Sequence, residues 1–253
     1  MADPVQRFTS RVENYVQYRP HYPQAVLETL RAECGLTQDS RIADVGSGPG
    51  NLTELFLQNG NVVYAVEPNA AMRETAEQFL SRYPGFRSVA GHAEAMPLPD
   101  HSVEFVTAGQ AFHWFDRERA RAEFLRILWP GGWVALIWNA REKKAKPFLA
   151  AYERLLRTYP GENPPVDDRQ ISQEAFAGFF GVGGLHVKKF PNHQDLDYPA
   201  LEGRMLSSSY TPEPGHPNYA PLVAELRKLY DASQVNGVVR IEYTTVMYFG
   251  QLS

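Results

Sequence analysis

The chain has 253 residues, of which 43% are hydrophobic and 21% charged, a composition typical of a globular protein with a substantial core. Its 25 basic and 29 acidic residues give a formal net charge of −4, which leaves no basic footprint for nucleic acid. Cys34 is the only cysteine, so the sequence excludes an intrachain disulfide and a cysteine-based zinc site and favours a reducing, cytoplasmic location. No apolar run is long enough to cross a bilayer and the N-terminus does not resemble a secretion signal, so no membrane partner is expected.

Strand-like and helix-like runs alternate from about residue 24 to residue 139, as in a doubly wound α/β sheet. Apolar runs predict strands over residues 41–45, 62–66, 86–90, 103–108 and 133–138. The runs between them predict helices over residues 51–59, 70–82 and 117–128. Such short apolar strands are typical of a parallel sheet buried on both faces. Ligands bind such a sheet at the carboxyl ends of its strands, which is where the candidate site residues fall.

Beyond residue 139 the alternation breaks. The pattern there predicts a helix over 146–159, a loop over 160–165, a short helix over 172–180, and apolar alternating runs over 186–190 and 238–248. The N-terminal segment, residues 2–23, is rich in aromatic residues and has neither a strand pattern nor that of a long helix. It is either a poorly ordered tail or a lid.

A glycine-rich turn, Asp44-Val45-Gly46-Ser47-Gly48-Pro49-Gly50, joins the first predicted strand to the helix after it. Glycines at this spacing let the backbone turn sharply and admit a ligand closer than a Cβ would allow. Glu67 ends the second predicted strand, about 20 residues after Gly46, where a carboxylate accepts both hydroxyls of a ribose. The alternative for Glu67 is a cap on the helix that follows. The pair predicts a nucleoside-cofactor site.

The details of the turn discriminate between cofactors. A dinucleotide site requires glycine at the sixth position of the motif, where this chain has Asn51, and no Gly-Lys-Ser/Thr follows for a triphosphate. Residues 51–54 are predicted to form a capping box, with Asn51 as the N-cap and Glu54 three residues later. An acidic first helical turn disfavours a pyrophosphate.

Six motifs along the chain carry a family resemblance. The glycine turn, Glu67-Pro68-Asn69, residues 91–100 (GHAEAMPLPD) and Pro130-Gly131-Gly132 together resemble class I S-adenosylmethionine-dependent methyltransferases over about residues 41–139. The N-terminal Tyr15-x-x-Tyr18-Arg19-Pro20-x-Tyr22-Pro23 and residues 110–116 (QAFHWFD) are similar to a small-molecule subgroup that includes trans-aconitate methyltransferase-like proteins. The resemblance implies a Rossmann-like sheet of seven mostly parallel strands with helical insertions. Its antiparallel last strand would lie between the fifth and the sixth.

The resemblance also implies one methyltransferase domain over residues 1–253. Its parts would be an N-terminal lid over 1–23, a cofactor-binding core over 24–139, acceptor-side insertions with the sixth strand over 140–237, and the last strand over 238–253. Residues 191–237 are expected to be helical and to lie over the strand ends.

S-adenosylmethionine is the implied cofactor, with S-adenosylhomocysteine as product. The resemblance places at the cofactor Tyr18, Arg19, Asp44, Gly46, Gly48, Glu67, Pro68, Met72, Ala93, Glu94 and Gln110. Asp44 would receive the cofactor's ammonium group, directly or through water, or would fix the turn by accepting backbone N–H bonds. Met72 would contact adenine or pack in the core, and Glu94 would flank adenine or be a solvated charge.

The acceptor is expected near His113, which would remove a proton from a hydroxyl or nitrogen, orient a carboxylate acceptor, or be structural. The acceptor-binding candidates are Tyr15, Tyr22, His113, Trp114 and Tyr210. Arg19, Arg141 and Arg204 are either carboxylate clamps or surface residues, and the motif favours a clamp only for Arg19. The histidines lack the spacing of a helical metal pair, so no metal is expected.

The predicted function is methyl transfer to a small-molecule acceptor, with O-methylation of a carboxylate or hydroxyl preferred. A non-catalytic regulatory protein that binds S-adenosylmethionine is one alternative, because cofactor motifs report binding and not turnover. A nicotinamide-dependent dehydrogenase is another, disfavoured by Asn51. The chain would act as a monomer or a dimer.

Overall fold

A computed structural model describes residues 18–142, 146–162, 173–181 and 184–253. Tyr15 and most of the predicted N-terminal lid lie outside these residues, as do residues 163–165 of the predicted loop and Ser172 of the predicted short helix. In the described part of the chain, no helix combines the length and the apolar character needed to span a bilayer.

The fold is built on a seven-stranded sheet with the strand order β3-β2-β1-β4-β5-β7-β6. The strands are β1 (Arg41–Val45), β2 (Val62–Val66), β3 (Phe86–Val89), β4 (Val103–Gly109), β5 (Leu128–Arg141), β6 (His186–Leu196) and β7 (Val239–Gly250). Strand β7 runs antiparallel to both of its neighbours, β5 and β6, while the pairings among β1 to β5 are parallel. The predicted fold class and the inserted antiparallel strand are therefore confirmed.

Helices connect the strands and cover the sheet. They are α1 (Gln24–Cys34), α2 (Asn51–Gln58), α3 (Ala70–Leu80), α4 (Arg117–Ile127), α5 (Pro147–Thr158), α6 (Gln173–Phe180), α7 (Tyr198–Leu206) and α8 (Tyr219–Ser233). Side-chain caps begin three of them, because the oxygens of Asn69, Asp116 and Asp197 accept bonds from backbone N–H groups of the first turn.

Two apolar clusters sandwich the sheet, and adjacent residues of β1 divide between them. Ile42 belongs to the cluster with α1 and α2, whereas Ala43 and Val45 belong to the cluster with α4 and α6. Alternation of this kind follows from the two-residue period of a strand that is buried on both faces. A third cluster joins α5, α7 and α8 to the first residues of β7. This third layer belongs to the region predicted to bind the acceptor.

Strand β6 corrects the prediction for residues 191–196, which were expected to be helical. They continue β6 and pair with β7 as far as Leu196 and Val239. The strand lies at the sheet edge and is largely exposed, and after residue 190 its side chains carry no apolar alternation. Pro191 is compatible with this position because an edge strand leaves backbone groups without a ladder partner. Only α7 and α8 make up the helical part of the predicted 191–237 segment.

The start of α2 corrects the predicted capping box. Gly50, at φ +98°, is the N-cap and makes no side-chain capping bond, and Asn51 is already the first helical residue. The Glu54 carboxylate instead accepts bonds from Arg82 at 2.7 Å and from the Tyr83 hydroxyl at 3.0 Å. The helix therefore begins at Asn51, as the predicted range of 51–59 has it, but a glycine in the left-handed region takes the N-cap position that was predicted for Asn51.

Candidate functional site

The glycine turn lies where β1 and β2 end side by side. The N–H of Gly46 donates to the Val66 carbonyl at 2.8 Å, and the N–H of Gly50 donates to the Ser47 carbonyl at 3.0 Å. Gly46, Gly48 and Gly50 all have positive φ, at +66°, +56° and +98°. Other residues adopt this region only with strain, so the turn needs glycine at each of the three positions.

The three glycines differ in what surrounds them. A Cβ at Gly46 would lie 2.6 Å from the Cβ of Ala111, and one at Gly50 would lie 2.3 Å from Cδ1 of Leu80. Packing requires glycine at position 46, because the Ala111 Cβ cannot move aside, whereas the end of the Leu80 side chain would have to shift to admit a Cβ at position 50. A Cβ at Gly48 would meet nothing within 4 Å. Gly48 therefore has open space beside it in the turn.

Glu67 lies beside Gly48 and holds two backbone segments together. Its Oε2 accepts the N–H of Gly48 at 2.9 Å, and its Oε1 accepts the N–H of Asn69 at 2.9 Å. The residue is 8% exposed, and this burial raises the pKa of its carboxyl group although the two N–H bonds oppose the shift. An ionised carboxylate offers about four acceptor positions, so two remain for hydroxyl donors. The helix cap itself is supplied by Asn69, whose Oδ1 accepts from the N–H of Met72.

Asp44 is fully buried beneath the turn. Its Oδ2 accepts the hydroxyl of Thr53 at 2.6 Å and its Oδ1 accepts that of Thr107 at 3.1 Å. Burial raises the pKa of Asp44 to about 7 against the opposing effect of these hydrogen bonds, with a smaller upward contribution from Glu67. The carboxylate thus links β1 to α2 and β4. Asp44 also accepts a backbone hydrogen bond from Thr53, so it fixes the turn partly through a backbone N–H, as one of the two predicted roles requires, and partly through threonine hydroxyls.

The residues predicted to flank the adenine differ in burial. Met72 and Ala93 are buried at 4% and 5% exposure, on α3 and in the loop after β3. Glu94 is partly buried, and its carboxylate accepts the N–H of Asp116 at 2.8 Å, ahead of α4. Glu94 therefore ties two loops together and is not simply a solvated charge. Pro68, between Glu67 and the α3 cap, presents its carbonyl to Arg73.

Gln110 follows β4 and has a φ of +57°. Its backbone N–H donates to the Ile137 carbonyl at 2.9 Å, and its side-chain amide approaches the Asn139 carbonyl at 3.4 Å. A residue other than glycine is strained at this φ, and such strain is often found at ligand sites. Gln110 thereby connects the end of β4 to the end of β5.

His113 and Trp114 lie on a single 3-10 turn, Phe112–Trp114, directly after this strand end. Both are partly buried, and their rings pack with centroids 4.6 Å apart at an interplanar angle of 45°. Phe112 on the same turn is fully buried and stacks against Phe176. The buried Phe112 ring anchors the turn and so fixes the positions of the partly buried His113 and Trp114 rings.

The described end of the predicted lid crosses the carboxyl edge of the sheet. Tyr22 is buried, and its hydroxyl would lie 2.5 Å from a Cβ at Gly109. Tyr18 packs on α7, since a Cβ at Gly203 would lie 2.1 Å from its ring. Arg19 donates to the Ser207 carbonyl at 2.9 Å. Tyr18 and Arg19 therefore contact α7 and the residue that follows it, and their predicted contact with the cofactor stays a prediction.

Sequence reasoning named Arg141, Arg204 and Tyr210 separately but missed that they meet in one buried cluster in the layer of α5, α7 and α8, called here the arginine–tyrosine cluster. Its members come from β5, α5, α7, the segment after α7 and β7, and they are Arg141, Tyr152, Glu153, Arg204, Tyr210 and Tyr243. Surface positions were favoured for Arg141 and Arg204, which is wrong: Arg204 is 4% exposed and the Arg141 side chain 12%. Helical spacing from buried Leu201 to Arg204 is a signal that was available.

No group of three or more histidine, cysteine, aspartate or glutamate side chains able to hold a metal ion occurs within the described ranges of the chain.

Comparison with known proteins gives a consistent result. Residues 43–136 match the family of the methyltransferase domain. An uncharacterized methyltransferase of Schizosaccharomyces pombe is 32% identical over 203 residues, which cover 80% of this chain and 78% of that protein. One from Mycobacterium tuberculosis is 34% identical over 169 residues, which cover 67% of this chain and 65% of that protein.

A solved structure from Anaeromyxobacter dehalogenans, described as a type II methyltransferase, has the same fold. Its TM-score is 0.66 at 21% identity, over 93% of this chain and 98% of that one. The relative in Schizosaccharomyces pombe, at 32% identity, spans most of both chains. On this similarity, the chain belongs to the methyltransferase family.

Proposed function

We propose that the protein transfers a methyl group from S-adenosylmethionine to a small-molecule acceptor, by O-methylation of a carboxylate or a hydroxyl. One observation carries the proposal. The buried carboxylate of Glu67 binds the N–H groups of Gly48 and Asn69, at a turn where Gly48 has open space beside it. A preorganised acceptor next to a gap in the backbone is what the sugar of a nucleoside cofactor requires.

The residues around this point fit S-adenosylmethionine. Glu67 retains acceptor positions for two ribose hydroxyls, and Gly48 leaves room for the amino-acid end. The buried hydroxyl of Ser47 has no hydrogen-bond partner among the described residues, as expected of a group reserved for a ligand. Asp44, below the turn, supplies a negative charge toward the cofactor's ammonium group, directly or through water. Met72 and Ala93 supply apolar surface for adenine.

When bound, the cofactor supplies a methyl group already activated by a sulfonium. The chain then has to bind the acceptor and hold its nucleophilic oxygen in line with that methyl group. Positioning of this kind lowers a barrier by about 7–11 kcal/mol, more than a single acid–base group contributes. For a hydroxyl acceptor, His113 would take up the proton. A carboxylate acceptor is already ionised, and His113 would then orient it.

The same proposal covers the parts of the domain. Residues 1–23 act as a lid, the core over 24–139 holds the cofactor, and the insertions over 140–237 hold the acceptor before the last strand over 238–253. The third apolar cluster supports this division, because α5, α7 and α8 pack on one another apart from the sheet clusters. We place the protein in the trans-aconitate methyltransferase-like subgroup, with Tyr22, His113, Trp114 and Tyr210 facing the acceptor.

Calorimetry with S-adenosylmethionine tests the proposal. Glu67→Ala removes two charge-assisted hydrogen bonds to the ribose, each worth about 1.5–3 kcal/mol, so affinity should fall at least about 100-fold. Glu225→Ala is the control, because the Glu225 side chain is 42% exposed and bonds only Lys228 on the same helix among its described partners. Unchanged affinity in Glu67→Ala would contradict the proposal.

Turnover needs a separate test. The wild type is incubated with methyl-labelled S-adenosylmethionine and a mixed metabolite extract. An enzyme should transfer the label to an extractable product, whereas a regulatory protein should bind the cofactor and leave the extract unlabelled. Binding without labelled product would therefore favour the regulatory alternative.

A further inference from the structure

We infer that the arginine–tyrosine cluster is an anion-binding subsite that anchors a carboxylate of the methyl acceptor, with Arg204 as its principal ligand. The inference rests on the proposed function in one respect, that the bound acid is the acceptor. The existence of an anion site is independent of it.

The cluster contains two guanidinium groups and one carboxylate. Arg141 is paired, since its Nε donates to Oε1 of Glu153 and its Nη2 donates to the Tyr210 hydroxyl at 3.3 Å. Arg204 has only neutral partners among the described residues: its Nε donates to the Tyr243 hydroxyl at 3.2 Å and its Nη1 to Oγ of Ser208 at 3.3 Å. The positive charge of Arg204 is therefore buried without a counter-charge in the described part of the chain.

A buried cation of this kind is costly, because the interior replaces only part of its hydration. Hydroxyl groups and the Tyr243 ring, 6.0 Å from the guanidinium carbon, offset part of the cost. A carboxylate would offset more, and the planar guanidinium matches it with two parallel N–H bonds. A bound acid would supply the counter-charge that Arg204 lacks, and this explains why the fold buries the guanidinium here.

Tyr152 provides a second, independent observation. Its side chain is fully buried, and its hydroxyl has no hydrogen-bond partner among the described residues. The Arg141 guanidinium carbon lies 5.4 Å from the Tyr152 ring centroid. Buried hydroxyls are nearly always hydrogen-bonded in native proteins. A ligand oxygen in the cluster would accept this hydroxyl, which is the bond that the protein leaves unmade.

The positive field of the cluster also acts on Tyr210. Burial raises the pKa of the Tyr210 phenol, but Arg141 and Arg204 outweigh burial and bring that pKa down to about 8. A field that favours a phenolate favours a bound carboxylate in the same way.

The position of the cluster suits an acceptor. Arg141 follows Asn139 by two residues on β5, and the Asn139 carbonyl is the group that the Gln110 amide approaches. On the other side, Tyr243 bonds Gln194, whose amide donates to the Tyr18 carbonyl at 3.0 Å. The cluster is thus connected both to the strand end expected to bear the reaction and to the described end of the lid. An acceptor anchored here would present its other end toward Gln110.

Binding of small acids to the full chain tests the inference. Calorimetry is performed with acetate, benzoate, succinate, glutarate and citrate, each beside its neutral amide. At least one acid should bind while its amide does not. Arg204→Gln should lower the affinity for that acid by about tenfold or more. Arg240→Gln is the matched control, because Arg240 is exposed and forms its ion pair with Asp195. Failure of every acid to bind, or equal affinity in Arg204→Gln, would overturn the inference.

A second variant guards against misfolding of Arg204→Gln. Tyr152→Phe removes only a hydroxyl with no described partner, so its thermal midpoint should equal or exceed that of the wild type. Its affinity for the acid should nevertheless fall by about fivefold. If Arg204→Gln does not fold, wild-type affinity in Tyr152→Phe would overturn the inference.

Titration of S-adenosylmethionine into the same preparations separates the two proposals. Both arginine variants should bind the cofactor like the wild type. Acid binding without cofactor binding would contradict the proposed function and leave the anion site standing. Cofactor binding without acid binding would contradict the anion site and leave the proposed function standing.

Discussion

Gly48→Ala separates the cost of backbone strain from the cost to the cofactor. The new methyl group meets nothing within 4 Å in the protein, so the expected loss of stability comes only from holding alanine at a φ of +56°. Left-handed alanine costs about 1–2 kcal/mol. In a chain of this size that corresponds to a fall in Tm of about 2–8 °C. The protein should fold.

Cofactor affinity should fall for a different reason. The methyl group would occupy the space that we assign to the cofactor, and forcing an extra carbon into a packed site costs about 1–3 kcal/mol, or about a 5- to 150-fold loss of affinity. Gly35→Ala is the matched control, with a φ of +70°, open space around it and a position at the end of α1.

Thermal unfolding and calorimetry with S-adenosylmethionine are measured on both variants. Both should lose similar stability, and only Gly48→Ala should lose affinity. Equal, wild-type affinity in the two variants would show that the space beside Gly48 is not used by the cofactor.

Four further predictions concern the strand ends. The raised pKa of Asp44, about 7, means that its carboxyl is largely protonated at pH 6; if the ionised form receives the cofactor's ammonium, affinity should rise about fivefold from pH 6 to pH 7, and Asp44→Asn should abolish that rise in calorimetry. The raised pKa of Asp44 also makes the folded protein less stable as pH rises from the ordinary aspartate pKa through 7, because the buried carboxyl then ionises. At pH 8, urea unfolding should therefore show that Asp44→Asn loses less free energy of unfolding than the loss of the buried hydrogen bonds of Asp44 alone would cost. Gln110→Gly should raise Tm by relieving left-handed strain, and a fall would show that the side-chain bond to Asn139 outweighs it. His113→Ala should lower kcat about 100-fold or more with a hydroxyl acceptor and far less with a carboxylate, whereas equal losses would exclude proton removal by His113.

The sheet was predictable because its strands are apolar and bounded by turns. Strands β1 to β4 lie within one residue of their predicted bounds, and β7 takes its place between β5 and β6. Strand β5 contains the predicted residues 133–138 but extends over Leu128–Arg141, so its length was underestimated. The extension of β6 was not predictable in the same way. An exposed edge strand needs no apolar face, so residues 191–196 carry no strand pattern. They are held in the strand by pairing with β7, whose residues are distant in sequence.

In the candidate site, too, local features could be predicted from the sequence, whereas features that depend on contacts distant in sequence could not. Gly48 and Glu67 were predicted from local motifs, because a turn and a strand end can be recognised from neighbouring residues, and the structure places the two side by side. The chemistry of Asp44 depends on Thr53 and Thr107, and the second of these comes from another strand. Arg141 and Arg204 come together only when β5 and α7 are in place. Charged residues are usually exposed, and that expectation failed where several elements bury the same group.

A crystal structure with S-adenosylhomocysteine is the most direct measurement. Both ribose hydroxyls should bond to the carboxylate of Glu67, with the amino-acid end of the molecule beside Gly48. A molecule bound with its ribose away from Glu67, or a crevice that stays empty in crystals grown with saturating ligand, would contradict the proposed cofactor site.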